Sequence, residues 1–370
     1  MSGNKKVIHF LWKLIKRVLF PLLWLFSFIY GGILFVRNKL FDWGRLKEKK
    51  YDLPIISIGN ITVGGTGKTP LTEYVIRLLE YKYRIALLSR GYKRKTKGVV
   101  IATANNTVED IGDEPKQIQT KFPGITVTVA EKRTEGIERL LQEKQPEVIV
   151  LDDAFQHRYV KPGLSILVID HNRPLWSDHP FPAGRLREPR AGQKRADIIV
   201  VSKCPEGLTV AQKDLFIKKL HPHPKQQVFF TFVKYLPPVN PGRAGYRLNN
   251  ETEIIALAGI ANPKPFFNSL EEKYHLKEKI TFPDHHAFNK TDCKQIEIAF
   301  QNINAGNKAI ITTEKDFMRI KDIPWLSEET RSHIWYIPIK ISFLFDEEKK
   351  FNLLIKNYVE KDKKNSSVPE

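Results

Sequence analysis

A glycine-rich segment at residues 59–70, GNITVGGTGKTP, carries the residue types that bind phosphate. It follows an apolar segment of strand length and precedes a helix-like stretch, so its backbone amides and the helix N-terminus are expected to surround phosphate oxygens. In such a loop Lys68 contacts the terminal phosphates of a nucleotide, Thr69 coordinates Mg²⁺, and Pro70 is tolerated in the first helical turn. A glycine-rich turn without phosphate is the alternative. The candidate nucleotide-binding residues are Thr62, which replaces the usual glycine, Val63, Gly64, Gly65, Thr66, Gly67, Lys68, Thr69 and Pro70.

Two carboxylates end the apolar segment EVIVLDD at residues 147–153. An apolar strand that ends in aspartate places a carboxylate at the carboxyl edge of a parallel sheet, where it holds Mg²⁺ or its waters. Asp152 and Asp153 are therefore candidate metal ligands together with Thr69. Because side chains alternate along a strand, we expect the two carboxylates to have different roles. A solvated turn at the strand end is the alternative.

A third acidic residue, Asp113, lies in the segment GDEP (112–115) before a predicted helix. Its position leaves two interpretations open, a catalytic carboxylate or the N-cap of that helix. A structural role is the alternative to a functional one for the pair His285 and His286. No further cysteine or histidine cluster completes a metal site around them. The basic segment GRLREPR (184–190) is compatible with a solvated loop that forms local salt bridges.

Short apolar segments alternate with helix-like stretches through the middle of the chain. The predicted strands are rich in valine and isoleucine, which is typical of a parallel sheet covered on both faces. They are 54–59, 84–89, 125–130, 147–152, 164–170 and 197–202, with helices at 69–80 and 131–143. This alternation predicts an α/β fold, a doubly wound sheet like that of P-loop NTPases.

The composition changes around residues 222–245, where proline-rich stretches interrupt the pattern. We expect a second, smaller α/β domain beyond this link. Its predicted strands are 253–258, 309–313 and 335–339, its helices are 270–276 and 291–304, and a short strand at 228–233 belongs to the link. The predicted organisation is an N-terminal membrane-associated helix with a basic flank (1–46), a P-loop domain (47–224), an interdomain link (225–250), a C-terminal α/β domain (251–360) and a polar tail (361–370).

A hydrophobic segment at residues 18–36 contains 19 residues without a formal charge, about the length needed to cross a bilayer. Lysine and arginine flank it on both sides, so the charges do not indicate which end is cytoplasmic. We expect a membrane anchor that either spans the bilayer or lies in its interface. The alternatives are a buried core helix and a cleavable signal peptide, although no small-residue cleavage site follows the segment.

Lysine and arginine total 60 and aspartate and glutamate total 41, which gives a formal net charge of +19. This surplus favours an anionic partner: nucleic acid, a membrane surface or a phosphorylated substrate. No nucleic-acid-binding signature is present, so we expect no nucleic-acid partner. The apolar content of 42% excludes global disorder, and the two distant cysteines, Cys204 and Cys293, predict no disulfide.

These motifs together resemble those of the tetraacyldisaccharide 4'-kinase family, the lipid A kinases of Gram-negative bacteria. The matching motifs run in order along most of the chain: SIGNITVGGTGKTP (57–70), LSRGY (88–92), GDEP (112–115), LDDAFQH (151–157), PAGRLREP (182–189), LAGIANP (257–263), FPDHH (282–286) and TTEKD (312–316). The resemblance implies two P-loop-like α/β domains joined by a two-stranded link. It also implies transfer of the ATP γ-phosphate, with Mg²⁺, to the 4'-hydroxyl of a tetraacylated glucosamine disaccharide 1-phosphate, which gives the lipid A precursor lipid IVA. The implied location is the cytoplasmic face of the inner membrane.

The resemblance further implies roles for single residues. Asp113 resembles the general base for the sugar hydroxyl, paired with a histidine of the DHH motif, for which His285 is favoured over His286. Arg187 and Glu188 match a charged pair at the mouth of the active site, where Arg187 neutralises phosphate and Glu188 orients it.

Asp152 and Asp153 match the family's acidic pair near Mg²⁺. Two positions depart from the family pattern: Ala154 and Lys93 stand where glycine is common.

The main alternative function is a membrane-associated GTPase-type switch protein. The segments VSKC (201–204) and TEKD (313–316) superficially resemble the guanine-binding motif N/T-K-x-D. The first lacks the aspartate, and the second has no residue between lysine and aspartate, so adenine is favoured. A monomer is favoured as the oligomeric state.

Overall fold

The computed structural model describes residues 2–243, 245–284, 286–321 and 323–366. Its helices are α1 (Ser2–Asp42), α2 (Lys68–Leu79), α3 (Val108–Ile111), α4 (Asp113–Lys121), α5 (Arg133–Glu143), α6 (Val210–Leu220), α7 (Lys264–Glu271), α8 (Lys290–Gln301), α9 (Glu314–Ile320), α10 (Glu328–Ser332) and α11 (Glu348–Ser366). Its strands are β1 (Ile55–Gly59), β2 (Ile85–Ser89), β3 (Val100–Ile101), β4 (Thr126–Val129), β5 (Val148–Asp152), β6 (Leu164–Asp170), β7 (Ile198–Ser202), β8 (Gln227–Tyr235), β9 (Glu253–Ala258), β10 (His275–Thr281), β11 (Lys308–Thr313), β12 (Ile334–Ile337) and β13 (Ile339–Phe343).

Tertiary contacts divide the chain into two compact units, each assembled from separated segments. The first unit comprises residues 1–68, 148–232 and 343–370, and the second comprises 69–147 and 233–342. The predicted domains are contiguous in sequence and therefore describe a different division. One boundary between the units, after residue 232, falls within the link predicted at 225–250.

The first unit is built on parallel strands in the order β8, β7, β6, β1 and β5. Every residue of β1, β5, β6 and β7 is buried, because both faces of these strands are covered. The predicted α/β fold is confirmed. Parallel strands end at one edge, so Gly59, Asp152, Asp170 and Ser202 lie on the same side of this unit.

Helix α11 closes the first unit and was not expected from the sequence. Phe351, Ile355 and Val359 are fully buried at four-residue spacing, and Phe351 packs edge-on against Phe229 of β8. The helix continues through Ser366, which differs from the polar tail expected at 361–370; residues 367–370 lie outside the described residues.

One side chain of α11 also pairs with the strand that leads into the phosphate loop. The Tyr358 hydroxyl accepts a hydrogen bond from the Ile55 N–H at 2.9 Å and donates one to the Ile55 carbonyl at 3.2 Å. Burial raises the pKa of Tyr358, so the phenol stays protonated and able to donate. The last helix of the chain therefore secures the start of β1.

The second unit contains a parallel sheet in the order β10, β9, β11 and β12. Alternate residues of β9 enter opposite apolar clusters, with Ile255 and Leu257 in one and Ile254 and Ala256 in the other. This sheet is therefore covered on both faces. The same unit contains β4, which pairs in parallel with β2 and antiparallel with β3.

The helix predicted at 270–276 is wrong. Helix α7 begins at Lys264 and ends at Glu271, because Phe266, Phe267 and Leu270 form its buried face. Residues His275–Thr281 form β10, an edge strand whose side chains are mostly exposed and rich in lysine. A polar edge strand lacks the apolar run on which strand prediction depends.

Helix α1 is longer than the hydrophobic segment predicted at 18–36. Within it, residues Pro21–Asp42 are long and apolar enough to cross a membrane, and only 6% of an 18-residue window there is buried, which excludes a buried core helix. A signal peptide near the N-terminus would have the same length and apolar composition, so that alternative stays open. Helix α1 is also attached to the first unit: Ser27 Oγ donates to the Pro180 carbonyl at 2.9 Å and accepts from the Ala183 N–H at 2.8 Å.

Candidate active site

The glycine-rich loop connects β1 to α2, as predicted. Gly64 and Gly67 have φ angles of +97° and +88°, which side-chain-bearing residues rarely adopt. A β-carbon on Gly67 would also lie 3.2 Å from the Ser202 Oγ. The Asn60 side-chain amide donates to Thr66 Oγ1 at 2.9 Å across the loop. These features are typical of a loop whose backbone curls around phosphate.

Thr62, which stands where glycine is usual, has its backbone engaged in a bridge. It pairs with Leu186 in an antiparallel bridge, and the next contact along, from the Arg187 N–H to the Ile61 carbonyl, measures 2.8 Å. This pairing places Arg187 beside the loop. Of the candidate residues, Val63 and Gly65 are exposed, Thr62 and Thr66 are buried, and Gly64, Gly67, Lys68, Thr69 and Pro70 are half-buried.

Two predicted site cations converge on Asp153. Lys68 Nζ lies 3.4 Å from Asp153 Oδ1, and Arg187 Nη1 donates to both carboxylate oxygens at 3.0 and 2.9 Å. Burial alone would raise the pKa of Asp153, but the attraction of Lys68 and Arg187 outweighs it and lowers that pKa. Asp153 is therefore a carboxylate held between two cations.

Asp152 occupies a different environment from its neighbour. It is the last residue of β5, is 1% exposed, and lies opposite Ile58 of β1.

Within the described ranges, no group of three or more His, Cys, Asp or Glu side chains is placed to hold a metal ion. Mg²⁺ sites of nucleotide-binding enzymes use one or two carboxylates plus phosphate oxygens, which agrees with that observation.

Glu188 is buried behind the loop, with 2% of its surface exposed. It receives hydrogen bonds from Gln156 at 2.8 Å and Asn38 at 3.3 Å and forms a 2.8 Å ion pair with Arg195. Gln156 also donates to the Asn60 carbonyl at 2.7 Å. The carboxylate of Glu188 thus supports the base of the loop and is less exposed than expected at a site mouth.

A further carboxylate near the loop, Asp170, was not predicted from the sequence. Asp170 ends β6 and pairs with Lys203 at 3.0 Å and Arg173 at 3.1 Å. Both cations also donate to the carbonyl of Gly65, Arg173 at 3.3 Å. Burial opposes ionisation of Asp170, but Lys203 and the hydrogen bonds lower its pKa. The signal was present, because LSILVID also ends in aspartate at the same sheet edge.

The second unit holds Asp113 at the start of α4. The N-cap of this helix is Gly112, so the N-cap interpretation of Asp113 is wrong. Arg319 of α9 donates instead to Asp113 Oδ2, from Nε at 3.1 Å and also from Nη2. The side chains of Asp113 and Arg319 are 15% and 7% exposed.

Arg319 is itself held by a fully buried carboxylate. Its Nη1 donates to Asp316 Oδ1 at 3.0 Å, and Asp316 Oδ2 accepts from the Gly259 N–H at 2.8 Å and from Thr313 Oγ1 at 2.7 Å. Thr313 in turn is the N-cap of α9. TEKD therefore forms a helix start in this unit, and its aspartate is engaged by the Gly259 N–H and by Arg319.

Helix α4 is linked to its neighbours at its other end too. Lys121 Nζ lies 2.6 Å from Glu73 Oε2 on α2 and 3.0 Å from Glu314 Oε2 on α9. Gln117 donates to Glu73 at 2.8 Å. Burial raises the pKa of Glu73 in spite of Lys121, whereas the two carboxylates outweigh burial and raise the pKa of Lys121.

The predicted partner of Asp113, His285, lies outside the described residues. Its neighbour His286 stacks on Phe282 with ring centroids 4.8 Å apart, and its Nε2 lies 2.8 Å from Asp292 Oδ2. Asp292 belongs to the first turn of α8. His286 is therefore engaged at the start of that helix.

The two departures from the family pattern lie in ordered turns. Lys93 has a φ of +61°, a conformation that glycine adopts more readily than other residues. Ala154 is buried, and it follows Asp153, which has a φ of +47°. Arg90 is exposed.

Comparison with known proteins gives consistent matches. The model of the LpxK family, tetraacyldisaccharide-1-P 4'-kinase, matches residues 19–360. The tetraacyldisaccharide 4'-kinase of Bacteroides thetaiotaomicron is 45% identical over 371 residues, which cover 96% of each chain. That of Parabacteroides distasonis is 46% identical over 353 residues, covering 93% of this chain and 95% of the relative. A crystal structure of LpxK from Aquifex aeolicus in complex with ATP is 29% identical, with a TM-score of 0.71, and covers 93% of this chain and 99% of that one.

Proposed function

The chain belongs to the tetraacyldisaccharide-1-phosphate 4'-kinase family, and we propose that it phosphorylates the 4'-hydroxyl of a tetraacylated disaccharide 1-phosphate with ATP. The hydroxyl oxygen bonds to the γ-phosphorus, the bond from that phosphorus to the β-phosphate oxygen breaks, and ADP leaves. The product is the bis-phosphorylated precursor of lipid A. The observation that carries this proposal is the convergence of Lys68 and Arg187 beside a loop shaped for phosphate.

The side chains around the loop suit a polyphosphate. Lys68 and Arg187 lie on one side, and Arg173 and Lys203 contact Gly65. Bound Mg²⁺ would neutralise phosphate charge, and the oxygens of Thr69, Asp152 and Asp153 are the ligand type it prefers. In phosphoryl transfer, positioning and charge neutralisation supply most of the rate.

Before the nucleotide binds, Asp153 holds the side chains of Lys68 and Arg187 in place. Because the side chains of Asp153 and Arg187 are about a third exposed, phosphate oxygens reach them from solvent. Lys68 and Arg187 then exchange a carboxylate for phosphate without reorganising. Glu188 acts indirectly, since its contacts with Gln156 and Arg195 hold the loop in place.

Asp113 is the base for the sugar hydroxyl in this proposal. A loose phosphoryl-transfer transition state needs little covalent help, but the hydroxyl proton still requires an acceptor. The carboxylate of Asp113 accepts that proton, with His285 as its proposed partner.

Helix α1 anchors the enzyme at the cytoplasmic face of the inner membrane. Its exposed apolar side chains include Phe28 and Ile33, and the chain carries a net charge of +19. Apolar surface inserts into lipid while lysine and arginine attract anionic headgroups. The proposed enzyme is a monomer that meets its acylated substrate in the membrane.

The direct test is transfer of γ-³²P from ATP to the tetraacyldisaccharide 1-phosphate in detergent micelles. We expect labelled bis-phosphorylated product, with much slower turnover when GTP replaces ATP. Binding of both ATP and the lipid without any labelled lipid would contradict the proposed reaction.

The anchor has its own test. Replacement of Phe28 and Ile33 by glutamate is expected to lower the membrane-bound fraction in vesicle flotation, because buried carboxylates oppose insertion. Tyr81→Glu, at an exposed aromatic residue of the second unit, is the matched control. An unchanged bound fraction in the double variant would show that another surface binds the membrane.

A further inference from the structure

We propose that Arg319 is a positioning residue for phosphoryl transfer: it aims the Asp113 carboxylate, and Asp316 holds Arg319 in place. The proposal rests on the role of Asp113 as base in the proposed function. No sequence motif indicated Arg319, because it lies 206 positions from Asp113 and follows the conspicuous TTEKD segment.

The contact between the two side chains defines the direction of the carboxylate. Two guanidinium donors, Nε and Nη2, reach the same oxygen, Asp113 Oδ2. The guanidinium is planar and its donors have a fixed geometry, so two donors on Oδ2 fix the position of that oxygen more closely than a single hydrogen bond does. A general base needs this restraint, because proton transfer depends on direction and distance.

The guanidinium is held from its other side. Nη1 donates to Asp316, which is 0% exposed and has two further hydrogen bonds, from the Gly259 N–H and Thr313 Oγ1. Asp316 is therefore fixed by the first turn of α9 and by the residue after β9. Arg319 transmits that fixed position to Asp113.

The helix that carries Asp113 is also restrained at its far end. Lys121, the last residue of α4, pairs with Glu314, the first residue of α9, whereas Asp113, the first residue of α4, pairs with Arg319 near the end of α9. The two helices are therefore antiparallel and joined at both ends. Rotation of α4 would break both ion pairs, so the Asp113 backbone is fixed together with its side chain.

The competing interpretation is an ion pair that only stabilises the fold. A buried pair of this kind is costly to break whether or not it takes part in catalysis. The two interpretations differ in one respect: a positioning residue acts through Asp113, so its effect on turnover disappears once the Asp113 carboxylate is absent.

The experiment is a double-mutant cycle on the full-length enzyme, with steady-state kinetics for ATP and the lipid. Arg319→Met is expected to lower kcat by on the order of 10²-fold, with both KM values within about threefold, because a misplaced base affects the transition state more than substrate binding. Arg319→Lys retains the charge without the two-donor contact and is expected to recover part of kcat. Arg139→Met, which breaks an exposed ion pair on α5, is the matched control and leaves kcat unchanged.

In the Asp113→Asn background, Arg319→Met is expected to change the residual kcat by less than about twofold, the signature of residues that act as a unit. Equal losses in both backgrounds, or a loss of kcat that follows a lowered melting temperature, would overturn the positioning role. Wild-type kcat in Asp113→Asn alone would instead refute the base in the proposed function. If Arg319→Met does not fold, Asp316→Asn replaces it in the cycle, with the same non-additivity expected.

Discussion

Each unit contains an ion pair between an aspartate and an arginine. The two pairs differ in their exposure to solvent and in the third charged side chain beside them. In the first unit, Arg187 and Asp153 are each about a third exposed, and the carboxylate is shared with Lys68. In the second, Arg319 and Asp113 are nearly buried, and a fully buried Asp316 holds the arginine. The first arrangement is exchangeable and suits cations that must release a carboxylate to take phosphate. The second is permanent and suits a carboxylate that must stay aimed.

The largest effect is expected from removing a cation of the exchangeable pair. Lys68→Ala deprives the transferring phosphate of a positioned charge, and kcat is expected to fall by about 10³-fold. Lys161→Ala, at an exposed lysine of the same unit, should leave kcat unchanged. The assay is γ-³²P transfer to the lipid; turnover within tenfold of wild type would mean that Lys68 does not contact the reacting phosphate.

In the second unit, the loss of a buried cation is expected to lower the free energy of unfolding. Lys121→Met leaves Glu73 and Glu314 buried without their shared cation, which is expected to cost about 3 kcal/mol of unfolding free energy, measured by urea denaturation. Lys132→Met, at an exposed ion pair, is the control and should leave the free energy of unfolding nearly unchanged, because solvent screens such pairs.

The pH dependence of that loss follows from the direction of the pKa shift. Because the folded pKa of Lys121 is raised, its contribution is fully present below the unfolded pKa of about 10.4 and is lost as the pH rises through the folded value. The contribution of Lys121 to the difference between wild type and Lys121→Met should therefore persist up to about pH 9 and shrink only in stronger alkali. A difference that vanishes at neutral pH would contradict the ion-pair explanation.

The smallest effect tests the exchangeable pair directly. Asp153→Asn removes the carboxylate that competes with phosphate for Lys68 and Arg187, so Mg²⁺-free ATP is expected to bind about threefold more tightly, within the usual range for a partly exposed ion pair. Titration calorimetry in the presence of a chelator measures this affinity, and Asp113→Asn should leave it unchanged. Weaker ATP binding in Asp153→Asn would show that the carboxylate supports the nucleotide site instead of competing for its cations.

The sequence predicts the phosphate-loop region more completely than the Asp113 region, for a physical reason. Lys68, Asp152 and Asp153 end or follow parallel strands, and the carboxyl ends of such strands meet at one edge whatever the details of packing. Asp170 follows the same rule, because it also ends a parallel strand of this unit. The burial of Glu188 depends on Asn38 and Arg195, whose proximity no local pattern encodes.

The Asp113 region depends on pairs that only the tertiary structure brings together. Arg319 meets Asp113, and Lys121 meets Glu314, across about two hundred positions of sequence. Charged residues on a helix are typical of a solvated surface, so their burial is not evident from spacing. For the same reason the polar edge strand β10 was not predicted, and only its first two residues fall within the predicted helix 270–276.

The hydrogen bonds between Tyr358 and Ile55 have a consequence for the order in which the protein is made. The first unit combines residues 1–68 with residues from 343 onward, so the strand that leads into the phosphate loop gains its contact with Tyr358 only after residue 358 has been translated. Helix α1 is translated before Tyr358, so in the proposed membrane-bound enzyme the anchor is made before the contacts behind the phosphate loop are complete.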